Sequence, residues 1–325
     1  MRAVVLEAYG DPDVLTLRDV PDPEAGPEQV LVDLRATALN RADLLQRRGL
    51  YPGPPMTHEI PGMEFAGTVA AAGAGVCRWQ VGDQVMGIVG GGAYAEKLVI
   101  HERQLLPVPD GVSLEDAAAI PEVFLTAFDA LVAQGGLTSG RWALVHAGAS
   151  GVGTASIQIA KAMGAFVAVT ASAPKHEACR ALGADVVIDY RSEDFVAVMA
   201  EATGGRGVDV VLDVIGGNYT IGNIKALRVG GRIIQVGVMG AQTVELPLGM
   251  LLPKRASIIG TVLRARPLEE KIALTQRVEA ELLPLFTTGA LRPVIDSRYP
   301  LDGMADAHRY METNANTGKI LIDVS

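Results

Sequence analysis

The segment Trp142-Ala-Leu-Val-His-Ala-Gly148-Ala-Ser150-Gly151-Val152-Gly153 passes from an apolar run through closely spaced glycines into a helix-forming stretch. Residues of these types in this order can cradle a diphosphate. Glycine lets backbone approach phosphate oxygens, and the start of a helix offers unpaired N–H groups and a partial positive charge. Ser150 stands where the usual Gly-x-Gly-x-x-Gly has its second glycine, and a simple packing turn is the alternative reading.

The residues beyond the turn bear on which dinucleotide would sit there. NAD sites generally carry Asp or Glu about 20 residues past the first glycine, to bind the ribose 2′-hydroxyl. Here that region reads Thr170-Ala171-Ser172-Ala173-Pro174-Lys175, with no acid between Gly153 and Glu177. A 2′-phosphate would escape repulsion and could meet Lys175 and the Ser172 hydroxyl. NADPH is therefore the expected cofactor; the alternative for Lys175 is an ordinary solvated lysine, so the missing acid carries more weight.

Other chemistries find little support. Cys77 and Cys179 are the only cysteines, too few for a disulfide framework or a four-cysteine metal site. His58-Glu59 is a lone pair in a loop, more often surface than ligand. The formal charge of −9 comes from scattered acids and bases, with no basic block to neutralise a run of phosphates, so nucleic acid is not an expected partner. The opening apolar run, from Ala3 to Leu6, is too short for a signal peptide, and no later run approaches the length of a membrane span. The cytoplasm is the expected compartment.

The elements that must position these residues can be read from the patterning. A chain of 325 residues exceeds what one core usually organises, so two domains sharing a cleft are expected. Up to about Ile120 the pattern is short β-rich segments broken by glycine and proline, among them Gln29 to Ala36, Glu64 to Ala71 and Gln84 to Val89. This reads as a compact, partly closed β domain. Asn40 to Arg48 is an expected helix, followed by the loop Tyr51-Pro-Gly-Pro-Pro55, which can continue neither helix nor central strand.

From about Pro121 strands alternate with helices, as in parallel βαβ units. The expected strands are Trp142 to His146, Phe166 to Thr170, Val186 to Ile188, Val208 to Val214, Ile233 to Gly237 and Ser257 to Thr261. Between the first two, Val152 to Met163 forms a helix with Val152, Ala155, Ile159 and Met163 on one face and Gly164 as its cap. Later come a long helix through Phe286, a strand near Val294, a helix from Asp302 to Met311 and a strand from Lys319 to Val324, a tail expected to return to the first domain, with a separate third unit as the alternative. The expected fold class is α/β, with a β-rich catalytic domain (1–121 and 262–325) and a doubly wound Rossmann domain (122–261).

Several motifs in this order resemble the medium-chain dehydrogenase/reductase superfamily, specifically its zinc-free quinone oxidoreductases related to zeta-crystallin and, among those, the tumour-suppressor-inducible NADPH quinone oxidoreductases. They are Ala38-Leu-Asn40-Arg-Ala-Asp43-Leu, Gly62-Met-Glu64-Phe-Ala-Gly67, Gly82-Asp83-Gln-Val85, Ala119-Ile-Pro121-Glu122 with Leu125-Thr126-Ala127-Phe128, the turn His146 to Gly153, Asp213-Val-Ile-Gly216-Gly217 and Gly318-Lys319-Ile. The resemblance implies a GroES-like first domain. It places Asn40, Tyr51, Thr126 and Lys319 toward the nicotinamide half or pyrophosphate, and Ser150, Gly151 and Val152 beneath the phosphates. Ser172, Lys175 and Tyr190 would hold the adenosine end, Tyr190 being otherwise a strand-end aromatic. Val214, Ile215, Gly216, Gly237 and Met239 would border the ribose and nicotinamide.

Zinc dehydrogenases of the superfamily carry Cys, His and a distant Cys where this chain has Asn40, Met63 and, approximately, Glu122. That set makes no ordinary zinc site. A ketone would then lack its Lewis acid, whereas a quinone becomes aromatic on reduction. The expected activity is zinc-free NADPH:quinone oxidoreduction, with Tyr51 and Asn40 as the catalytic candidates and Tyr51 or water bringing the proton. Reduction of enals or 2-enoyl thioesters, for which Arg41, Arg47 and Arg48 could form a basic entrance, is the rival enzyme reading. A dinucleotide-occupied binding or redox-sensing protein is the rival of another class. The apolar segment ending at Ser257-Ile258-Ile259-Gly260 suggests an edge strand and a homodimer.

Overall fold

The computed structural model describes residues 1–324, and the chain divides into two compact units: Met1–Val123 with the chain from Arg264 onward, and Phe124–Leu263.

The first unit opens with β1 (Arg2–Leu6) and β2 (Leu15–Asp19), an antiparallel pair. Then come β3 (Gln29–Ala38), α1 (Arg41–Arg47), β4 (Glu64–Ala72), β5 (Gln84–Ile88), β6 (Lys97–His101), β7 (Leu105–Pro107) and the short helix α2 (Leu114–Ala117). Strand β3 alternates in the manner of a half-buried strand, with Val30, Val32, Leu34 and Ala36 inside. Helix α3 (Pro121–Phe128) carries the chain into the second unit, where it continues as a π-helical stretch over Asp129–Gln134.

The second unit holds β8 (Trp142–Val145), α4 (Gly151–Ala162), β9 (Phe166–Ala171), α5 (His176–Ala181), β10 (Val186–Asp189), α6 (Phe195–Ala202), β11 (Val208–Asp213), α7 (Tyr219–Ala226), β12 (Leu227–Gln235), α8 (Leu251–Lys254) and β13 (Ser257–Gly260). Its six strands pair in the order β10-β9-β8-β11-β12-β13, all parallel. This is the doubly wound arrangement expected, with its switch point between β8 and β11. Near-continuous apolar strands such as β11, buried along its whole length, suit a sheet covered on both faces.

One strand differs from expectation. Strand β12 starts at Leu227, six residues before the expected start at Ile233, and runs through Gly230-Gly231. Its pairing with β11 shifts register between Val208 and Val210. The glycines are absorbed by this irregularity rather than ending the strand.

The chain returns to the first unit through α9 (Leu268–Thr287), β14 (Ile295–Pro300), α10 (Met304–Glu312) and β15 (Lys319–Asp323). Helix α9 buries Ile272, Thr275, Val278, Leu282 and Phe286, a 3–4 spacing that turns one stripe inward. Strand β15 pairs antiparallel with β3, Leu321 opposite Ala38. That pairing brings Lys319 beside the start of α1. Among the described residues no helix is long and apolar enough to cross a membrane.

Candidate functional site

In the second unit every expected cofactor residue except Thr126 lies just past the carboxyl end of a parallel strand. Gly148 to Val152 come after β8, Ser172 and Lys175 after β9, Tyr190 after β10, Val214 to Gly216 after β11, and Gly237 and Met239 after β12. Parallel register makes these ends level, with Leu212 opposite Val145 and Gln235 opposite Asp213. Asp189 pairs with Ala171, so Tyr190 stands level with Ser172. Thr126 sits apart, buried on α3 at 6% exposure.

The turn after β8 fits a diphosphate on its own geometry. Ser150 caps α4, its hydroxyl oxygen accepting from Gly153 N at 3.0 Å, which leaves the hydroxyl hydrogen to donate outward. The Gly151 and Val152 N–H groups have no acceptor among the described residues. No acid stands in the first turn of α4. Two unclaimed N–H groups and a hydroxyl at a helix start are what an anion requires.

Two glycines here are close-packing devices. A Cβ on Gly148 would lie 2.4 Å from Val169 Cβ, and one on Gly153 would lie 2.4 Å from the Ala147 carbonyl oxygen and 2.5 Å from Gly148. The turn is thus pressed onto β9 and onto the helix start. The crest after β11 is tied to the segment after β12: Met239 N donates to Val214 O at 3.0 Å and Gly240 N to Ile215 O at 2.8 Å. Past the ends of β9 and β10, Lys175 N donates to Ser172 O at 2.9 Å, and the Arg191 guanidinium stands 5.8 Å from the centre of the exposed Tyr190 ring.

In the first unit the structure joins Asn40 and Lys319. The Lys319 ammonium, almost wholly buried, donates to Leu39 O at 2.6 Å and Asn40 Oδ1 at 2.7 Å, and pairs with Glu64 Oε1 at 2.6 Å. Asn40 Nδ2 donates to the same Glu64 oxygen at 2.9 Å, and Glu122 N donates to Glu64 Oε2 at 2.8 Å. Asn40 also begins α1, its N–H donating to Asp43 Oδ2 at 2.8 Å. Burial pushes the Asp43 carboxyl up to about 6, against the opposing hydrogen bonds from Asn40 and Tyr94.

Tyr51 occupies a different part of this unit and is half-buried. The Arg264 guanidinium lies 4.9 Å from its ring centre and donates to Gly90 O at 2.5 Å, Gln46 Oε1 at 2.6 Å and Tyr51 O at 3.4 Å. Burial raises the Tyr51 phenol above its ordinary value, Arg264 opposes this, and Glu122 and Asp43 add to it. Further along the loop, Pro54 and Met56 help line a cavity of about 330 Å³ with Val89, Ile100, Leu268 and Lys271.

Sequence reasoning assigns no role to Glu64 or Arg264. For Glu64 a signal exists: a lone acid in an apolar strand must find a partner when buried. For Arg264 there is none, since its partners Gly90 and Gln46 lie 174 and 218 residues away.

The basic entrance expected of Arg41, Arg47 and Arg48 under the rival reading is not a free cationic face. Arg47 is wholly buried, donating to Gly10 O at 3.0 Å and pairing with Glu312. Arg48 shares Glu312 at 2.6 Å, and Arg41 donates to Asn314. An arginine that repeats one face of a short helix can point inward when a carboxylate from another element meets it, which its own helix does not reveal.

The residues do not fit zinc. Among the described residues no three His, Cys, Asp or Glu side chains gather closely enough to hold a metal ion. The oxygens at Leu39, Asn40 and Glu64 already surround an ammonium group, so a divalent cation there would meet like charge. His58 is exposed, and Glu59 is engaged by Tyr9 at 3.1 Å and Gln46 at 3.0 Å.

Comparison with known proteins adds to this geometry. Residues 26–110 match the family model of the alcohol dehydrogenase GroES-like domain, and residues 182–322 match the model described as zinc-binding dehydrogenase. The chain is 34% identical to a quinone oxidoreductase of Pseudomonas aeruginosa, over 99% of each chain. It is 33% identical to the human synaptic vesicle membrane protein VAT-1 homolog, over 99% of this chain and 86% of that one. Its fold superposes on the crystal structure of Escherichia coli quinone oxidoreductase complexed with NADPH at a TM-score of 0.90, with 29% identity and full coverage of both.

Proposed function

Since this chain belongs to the quinone oxidoreductase-like members of the medium-chain dehydrogenase/reductase superfamily, we propose that it is an NADPH:quinone oxidoreductase that works without zinc. The observation that carries the zinc-free reading is the Lys319 ammonium held by Leu39, Asn40 and Glu64, since Asn40 stands where the zinc dehydrogenases have a cysteine ligand.

The phosphate turn supports the cofactor: the Gly151 and Val152 N–H groups and the Ser150 hydroxyl would bind the diphosphate. Ser172 and Lys175, with no acid at the end of β9, suit a 2′-phosphate. When bound, the reduced nicotinamide supplies hydride. The residues of this chain hold it, orient the acceptor and keep water away; such positioning contributes roughly 7–11 kcal/mol to lowering a barrier. Within the first unit, Asn40 is buried and its amide is committed to Lys319 and Glu64, so its part is to position. Tyr51 is half-buried and would deliver or orient the proton at the acceptor oxygen.

Tyr51→Phe is expected to lower turnover about tenfold while leaving NADPH affinity in place, as read by steady-state kinetics and direct titration. Unchanged turnover would reduce Tyr51 to a wall of the site.

The proposal as a whole is tested by NADPH oxidation across quinones, enals and enoyl thioesters, with and without chelator. Quinone turnover unaffected by chelator, with a lower KM for NADPH than for NADH, is the expected result. A preference for NADH would end the NADPH assignment, and loss of activity on chelation would end the zinc-free one. Faster reduction of an enoyl thioester would establish the rival enzyme, and tight NADPH binding with no acceptor reduced would favour a binding protein. The edge position of β13, with Leu248, Leu252 and Ile258 exposed nearby, supports a homodimer paired along that strand; a monomeric mass in sedimentation would remove it.

A further inference from the structure

Beneath the phosphate turn lies a buried polar chain that the proposed chemistry does not use. His146, fully buried, immediately succeeds β8. Its Nε2 is 2.7 Å from Asn223 Oδ1 on α7, and its Nδ1 is 3.1 Å from Thr170 Oγ1 on β9. Asn223 Nδ2 donates to Asp213 Oδ2 at 2.9 Å. The other Asp213 oxygen accepts from Ile215 N at 2.6 Å and Gly216 N at 3.0 Å. At the far end Thr170 Oγ1 accepts from Ala147 N at 3.3 Å, and Thr170 O accepts from Gly148 N at 2.9 Å.

With the imidazole neutral, as its burial favours, these contacts allow one self-consistent set of directions. Asn223 donates to Asp213 through its nitrogen, so its oxygen must accept the Nε2 proton of His146. Nδ1 is then an acceptor and takes the Thr170 hydroxyl proton, which frees the Thr170 oxygen for Ala147 N–H. The imidazole is neutral: burial lowers its pKa, opposed by Asp213 and Asn223. Phe195 and Tyr219 meet the ring edge-on at 5.0 and 4.8 Å, fixing its plane.

We propose that His146 is a positioning residue for the dinucleotide, the centre of a relay that holds the phosphate turn and the crest after β11 in one register. The proposal rests on the reading that NADPH binds at that turn. Both ends of the relay hold backbone in the left-handed region, Ala147 at φ 56° and Gly216 at φ 70°, and both belong to loops assigned to the cofactor. An apolar side chain would fill the interior of a strand-end more cheaply than a histidine with two satisfied nitrogens. Here the hydrogen bonds instead fix two loops that no direct contact needs to join.

Thr170→Val keeps the shape and removes the hydroxyl; Thr170→Ser restores it. NADPH affinity is measured by fluorescence titration on each folded variant, with steady-state kinetics alongside. Thr170→Val is expected to bind NADPH about tenfold more weakly, with KM for NADPH raised and kcat at saturation changed less than about twofold. Thr170→Ser is expected to bind as the wild type does. His146→Phe should weaken binding further, and if it does not fold, the Thr170 pair still decides. A cooperatively folded Thr170→Val protein with wild-type affinity overturns the relay alone, as does a weakened affinity that serine fails to rescue. Wild-type protein that does not bind NADPH overturns the reading of the turn, and the relay with it.

Discussion

Gly153→Ala is expected to weaken NADPH binding about a hundredfold, the upper end of what overpacking against fixed backbone costs when the strain falls on the binding loop. The added Cβ would stand 2.4 Å from the Ala147 carbonyl oxygen and 2.5 Å from the Gly148 carbonyl. Both are backbone atoms of the phosphate turn, so no side chain can swing aside to relieve the contact. Either the turn moves outward or α4 backs away, and in both cases the Gly151 and Val152 N–H groups lose their aim. The overpacking itself destabilises by about 1–3 kcal/mol, so a melting curve must accompany the titration. Gly249→Ala, where an added Cβ meets nothing within 4 Å, is the matching control. Wild-type affinity in a folded Gly153→Ala protein would show that the ligand does not use this turn.

Lys319→Met is expected to destabilise the protein by about 3–5 kcal/mol, the usual penalty for removing one member of a buried ion pair. Lys319 and Glu64 are 3% and 0% exposed. Without the ammonium, Glu64 keeps, among the described residues, the Asn40 amide and the Glu122 N–H, and Asn40 Oδ1 loses the Lys319 donor. A chemical denaturation midpoint reports the loss. The double variant Glu64→Gln with Lys319→Met removes both charges and should recover most of it, a coupling that a double-mutant cycle isolates. If the two single effects simply add, the pair contributes nothing as a pair.

Much of the frame is legible in the residues. The glycine turn and the helix after it are encoded by neighbours within a dozen positions, and the structure has them as read, adding Ser150 as the helix cap. The alternating strands and helices after Pro121 are equally clear, because periodicity is a local property. Where glycine stands inside a strand, at Gly230-Gly231, local reading fails. Those residues signal a turn by themselves, and Gly230 does turn, at φ 77°; the strand runs through them because β11 pairs on either side, at Leu227 and at Arg232.

The side-chain arrangements depend on the fold. Asn40 and Lys319 can each be named from a motif, yet that one receives the other's ammonium is a consequence of β15 pairing with β3, across 279 residues of chain. Arg264 carries no local mark at all, and Arg47 carries a misleading one, since a basic helix face gives no sign of a carboxylate on α10. The His146 relay likewise gathers residues from β9, α7 and the end of β11.

By itself the sequence determined the elements, their order and the glycine-rich turn that opens α4, because each depends on torsional preferences and hydrogen bonds between near neighbours. Only the tertiary structure decided which buried charges and dipoles face one another. Electrostatic partners are chosen by distance in space, and distance in space between remote residues is a property of strand pairing, not of any one segment.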